Sequence, residues 1–158
     1  MAYRTAPDIS VYEENGKYTS LSYNWIFKVG GDSTDVPYKV LWIWNNKGGN
    51  TTIPDLQEPE LVMYRPGYDD DVIDKGWVKA KTGDPADTGY TPLYENSGLK
   101  IGYKPTSNSI PRISGKYNTG DVEDDTTAPN RQKVTIFVDP DGADTKTYWF
   151  EVRIKGYY

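Results

Sequence analysis

Residues 18–29 alternate with a period of two: Leu21, Tyr23, Trp25, Phe27 and Val29 fall on one side, and Ser20, Ser22, Asn24 and Lys28 on the other. Only Ile26 interrupts the polar side. This alternation makes a pleated strand with one face on a core, and it cannot supply the apolar stripe a helix needs at every third and fourth residue. No other segment shows convincing helical spacing. Fourteen Tyr, five Trp, eleven Pro and fifteen Gly against two Met favour pleated surfaces and turns over helices.

Gly30, Gly31 and Asp32 end this first strand. The second is predicted over 37–46, opening at Pro37, where a missing backbone donor does least harm. Further strands are predicted over 60–64, closed by Pro66 and Gly67, and over 76–81 and 99–104, both flanked by turn formers. The last two, 133–138 and 146–154, are expected to form a C-terminal hairpin about Pro140, Asp141 and Gly142. Roughly seven strands without helical periodicity predict an all-β fold, a single antiparallel β-sandwich of immunoglobulin-like or jelly-roll kind. A chain of 158 residues fits one such domain.

Two irregular stretches interrupt the pattern, 66–98 and 105–132. The second offers only Ile110, Ile113, Tyr117 and Val122 as apolar anchors. Loops this long in a compact domain tend to be functional, and tyrosine-bearing loops on a β scaffold are where binding modules keep their specificity. The plainer reading is a pair of surface connections containing short strands that the pattern does not reveal.

The absence of His removes the usual general base near neutral pH and every Ser-His nucleophile arrangement, and there is no Cys for disulfide or thiol chemistry. A net charge of −5 with no basic block disfavours a nucleic-acid partner. No basic leader precedes an apolar run, and no apolar stretch approaches the ~20 residues that span a bilayer. The expectation is a chain made in a cytoplasm, with no signal peptide and no membrane partner.

Carboxylates are then the available acids and bases. A two-carboxylate glycosidase would use Glu151 with Glu60, but an exposed ion pair with Arg153 explains Glu151 more simply. Asp69, Asp70, Asp71 and Asp74 form the first calcium candidate, and Asp121, Glu123, Asp124 and Asp125 a weaker one. Solvated acidic loops are the plainer reading, and no cofactor is expected.

The aromatics carry the remaining signal. On 37–46, Tyr38, Val40, Trp42 and Trp44 share one face while Leu41 and Ile43 share the other. Leu41 and Ile43 supply a core face, so Trp42 and Trp44 need a cover, either one of the chain's own loops or another molecule. On 146–154, Trp149 falls on the outward side with Glu151 and Arg153. The candidate contact residues are Trp42, Trp44 and Trp149, with Tyr64, Tyr68, Tyr90, Tyr94 and Tyr117 from the loops and their borders.

The segments "PYKVLWIWNNKGG" and "KVTIFVDPDGADTKTYWFEVRI", at the two ends of the chain, resemble the immunoglobulin-like accessory modules of tailed-phage virion proteins. The shared features are a Trp-rich early strand ending in Asn-Gly turns, a closing Asp-Gly hairpin, and neither Cys nor His. The resemblance implies a non-enzymatic virion component, present in many copies or as a homo-oligomer, that decorates a capsid or joins a neck, tail or fibre through contacts with other protein subunits. Residues 66–98 and 105–132 would be its docking arms. The alternatives are a carbohydrate-binding or adhesin-like module stacking its aromatics on a cell-surface glycan and, more remotely, the glycosidase.

Overall fold

The computed structural model describes residues 6–19, 25–28, 38–65, 70–121, 128–139 and 147–158, with backbone alone at 25–28, 70 and 147–149. Two antiparallel sheets face each other. The six-stranded sheet has the order β2 (Tyr18–Thr19), β1 (Ile9–Glu13), β4 (Tyr38–Asn45), β10 (Arg131–Val138), β6 (Val78–Thr82), β7 (Thr91–Pro92). In the other sheet the order is β3 (Trp25–Lys28), β11 (Thr147–Tyr157), β5 (Leu56–Tyr64), β8 (Leu99–Lys100), and β9 (Arg112–Ile113) also pairs with β5. The chain is thus an all-β sandwich, as the alternation predicts.

The core lies between the sheets. Leu41 and Ile43 of β4, with Val134 and Ile136 of β10, meet Leu61 and Met63 of β5 and Phe150 and Val152 of β11, and all are buried. Among the described residues no helix is long and apolar enough to cross a membrane.

Three expectations need correction. The continuous strand over 18–29 is divided: Tyr18 and Thr19 pair with β1 in one sheet, while Trp25 to Lys28 pair with β11 in the other. Alternation specifies which side of a strand is apolar but not which sheet it joins. The C-terminal hairpin is replaced by a crossing between sheets, because β10 is bonded on both edges to β4 and β6, and β11 on both edges to β3 and β5. The Pro140-Asp141-Gly142 turn lies outside the described residues. The strand predicted over 60–64 runs from Leu56, straight through Pro59.

Within the irregular stretch 66–98, β6 matches the strand predicted over 76–81, and β7 and a one-turn helix, α1 (Asp70–Asp74), are additions. The helix ends in a Schellman cap. Gly76, at φ 62°, donates its N–H to the Ile73 carbonyl at 3.1 Å, and the Trp77 N–H reaches the Val72 carbonyl at 3.2 Å. This cap turns Val72, Ile73 and Trp77 into the core. Residues 9–13 form a strand that is not among those predicted.

Candidate functional site

The outer face of the six-stranded sheet is built from strand register. Tyr12, Trp42 and Lys133 are paired across β1, β4 and β10, and Ser10, Trp44 and Arg131 form the next row. Further along, Tyr38 pairs with Phe137, and Phe137 with Lys79. Since paired residues of an antiparallel ladder point to the same side, the rows make a surface of aromatic rings interleaved with cations.

The contacts within it are close. The Arg131 guanidinium carbon stands 3.8 Å above the Trp42 ring centre and 5.2 Å from that of Trp44. Lys133 Nζ is 5.2 Å from Trp42, and Lys47 Nζ lies 4.8 Å from Tyr12 and 5.3 Å from Trp44. Lys133 also binds Asp84 at 2.7 Å and Glu14 at 3.4 Å. Hydrogen bonding with Lys133 lowers the Asp84 pKa from the usual aspartate value, and the same bond raises that of Lys133. At the margins Tyr12 and Tyr18 meet edge to face at 5.7 Å, and Tyr90 packs on Phe137 at 5.1 Å.

Four asparagines fix the end of this face. Asn46, at φ 57°, donates its side-chain amide to the carbonyls of Thr51 and Gly115, both at 2.8 Å. Asn45 reaches Pro54 and Ile113 at 3.1 Å, and Asn130 reaches Ser114 at 2.7 Å and Lys116 at 2.8 Å. Asn118 donates to the Asn46 carbonyl at 2.7 Å and accepts the Gly48 N–H at 2.9 Å. Segment 112–118 is thereby tied to the end of β4, and Lys47 is held where it covers Trp44.

The predicted contact residues do not converge. Trp44 is only 2 % exposed, so the chain itself supplies its cover, while Trp42 is half-buried under Arg131 and Lys133. Tyr90 belongs to the margin of the same face. Tyr64 is on the outer side of the other sheet with the Arg153 guanidinium 3.4 Å from its ring centre. Tyr94 is exposed beside Gly76, and Tyr117 is exposed on the segment the asparagines hold. Tyr68 lies outside the described residues, as does the side chain of Trp149, whose backbone pairs with Ile26. Among the residues missed were Tyr12, Tyr18, Arg131 and Lys133. An alternation over 9–13 and 131–138, read for its outward positions, would have found three of them.

Among the calcium candidates, Asp71 and Asp74 belong to α1 and make ion pairs with Lys75 at 3.8 Å and Arg65 at 2.7 Å, an arrangement that a helix and its neighbours account for. Asp69 and the side chain of Asp70 lie outside the described residues. Glu151 is bonded to Arg153 at 3.1 Å as expected, but its side chain is 8 % exposed and not solvated. Glu60 pairs with Lys155 and Glu151 with Tyr64, which offsets the two backbone positions by about 13 Å along the strands at roughly 3.3 Å per residue.

Comparison of the chain with protein-family models, with curated proteins and with solved structures finds no match.

Proposed function

We propose that this chain is a non-enzymatic interaction protein that docks other protein subunits on the outer face of its six-stranded sheet, as an assembled component of a tailed-phage virion. The observation that carries this reading is the row of aromatic rings braced by Arg131, Lys133 and Lys47, with Tyr18 at 63 % and Tyr38 at 44 % exposure on the same face. Tyr, Trp and Arg are the residues that anchor protein interfaces, and side chains already held in place lose little freedom when a partner arrives. Among the described residues the two edge strands of this sheet, β2 and β7, are two residues each, so the face offers a partner far more than the edges do. A glycan platform is less well supported, because stacking on a sugar needs a free ring face and Arg131 already occupies one face of Trp42.

Sedimentation tests the reading. The wild-type chain should self-associate or cosediment with virus particles, and Tyr18→Asp/Tyr38→Asp should abolish this while leaving the circular dichroism spectrum intact. A wild-type monomer that ignores particles from its native host would sink the proposal. Capsid, portal and tail genes beside the coding sequence would support the virion setting, and a neighbourhood without them would count against it.

A further inference from the structure

A second site is built where β5 changes partner in mid-strand. Leu56 and Gln57 pair with Ile113 and Arg112 of β9, whereas Glu60 and Leu61 pair with Lys100 and Leu99 of β8. Between them stand Glu58, a non-glycine residue at φ 49°, and Pro59, which has no N–H to give. The Glu58 N–H donates to the Pro111 carbonyl at 2.8 Å, and the Pro59 carbonyl accepts the Ile101 N–H at 2.9 Å. On the opposite edge the ladder to β11 shifts register between Lys155 and Tyr157.

Two glycines show how tightly this kink is held. A Cβ on Gly156 would come within 2.7 Å of Leu56 Cδ1 and 2.9 Å of the Gln57 carbonyl oxygen. On Gly102, at φ 103°, it would come within 2.9 Å of the Arg112 nitrogen and 3.1 Å of Pro59 Cγ. Left-handed non-glycine residues and strand bulges persist only where the surroundings enforce them, and both gather at functional sites. Here they open a cleft of about 500 Å³, inside the roughly 300–1,000 Å³ range of small-ligand sites.

The lining is chemically mixed. Glu60 and Lys155 satisfy each other at 3.4 Å, and Glu60 also accepts the Gly98 N–H at 2.9 Å. Lys100 and Lys104 make no ion pair with any described residue, so two ammonium groups are available to a ligand carboxylate. Glu58 is exposed and can accept hydroxyl hydrogens. Pro59 and Ile101 are buried apolar groups of the cleft wall, and Tyr157, 68 % exposed, is also part of its lining. A bare phosphate would leave the apolar wall and Tyr157 unused, and a neutral sugar would leave both lysines unused. One carboxylate, several hydroxyls and an apolar ring face together describe an acidic sugar.

We propose that this cleft binds a carboxylate-bearing sugar of the hexuronate or sialic acid type, with Lys100 and Lys104 on the carboxylate, Glu58 on hydroxyls and Tyr157 against the ring. The site is on the other sheet from the proposed docking face and does not depend on it. The test is calorimetric and NMR titration of the full chain with glucuronate, N-acetylneuraminate, glucose and inorganic phosphate. At least one of the two acids should bind saturably, about tenfold or more tighter than glucose or phosphate. Lys100→Ala/Lys104→Ala should weaken that binding about tenfold or more with the unfolding midpoint unchanged, while Tyr18→Asp/Tyr38→Asp should leave it intact. Absence of saturable binding by both acids, equal binding of phosphate, or full binding by the double-lysine variant would overturn the assignment.

Discussion

At the scale of single residues, Asn46 does two jobs that no other side chain among the described residues combines. It accepts a left-handed backbone at φ 57°, and its amide satisfies two carbonyls, one of them 69 residues away at Gly115. Asn46→Ala should therefore cost about 2–3 kcal/mol, read from denaturant unfolding, since it strands buried acceptors and strains the turn. Asn46→Gly relieves only the backbone and should recover part of the loss. The sequence shows Asn45, Asn46, Gly48 and Gly49 as a turn, and that much was legible; acceptors on a segment far along the chain were not, because local turn chemistry carries no record of them. Asp84 and Lys133 make a separate test. Asp84 has its pKa depressed by the Lys133 hydrogen bond, so the pair's contribution is present above the unfolded carboxylate value and fades as pH falls through the lower folded one. Lys133, raised by the same bond, contributes below the ordinary lysine value and loses this as pH rises past its folded value. NMR titration of the Asp84 carboxyl should find it below the usual aspartate value, and Lys133→Met should move it upward. Identical titrations in the two proteins would rule out the pair.

At the scale of elements, β4 and β10 owe their outer face to cations laid on indoles. A double-mutant cycle on Arg131→Ala and Trp42→Ala should return a coupling of about 1 kcal/mol, and Arg131→Lys should keep less than half of it, because an ammonium cannot stack as a planar guanidinium does. Zero coupling would mean the stack is only proximity. Strand β5 shows why its length escaped the sequence. A proline disfavours the interior of a strand, and the predicted strand starts just after Pro59, at Glu60. The fold tolerates it by placing the strained Glu58 before it and changing β5's partner on one edge, a solution that depends on β8 and β9 rather than on β5 itself. Glu58→Gly should gain roughly 0.5 kcal/mol, the difference between about 1–2 kcal/mol of left-handed strain and the 0.5–1 kcal/mol of entropy that glycine costs. A loss on chemical unfolding would show that the Glu58 side chain stabilises the kink.

At the scale of the whole molecule, the two sheets are joined through groups drawn from stretches that read as loops. Ile113, from residues 105–132, and Val72 and Ile73, from 66–98, sit in the same core as Leu41 of one sheet and Leu61 of the other. The existence of β4, β6, β10 and β11 and their inward faces were legible because they are local properties of period two. Sheet membership was not: it sends residues 18–19 and 25–28 to different sheets and separates β10 from β11, and each choice depends on edges offered by distant strands. This shared core predicts one cooperative transition, with far-UV circular dichroism and tryptophan fluorescence melting together. Ile113 decides between a structural segment and a dangling arm. It is fully buried, its strand pairs with β5, and Asn45 binds its carbonyl. Ile113→Ala should then cost about 2–5 kcal/mol, as for a core aliphatic. A cost within about 0.5 kcal/mol, the usual range for surface positions, would mean that segment 112–118 hangs from a sandwich that is already complete without it.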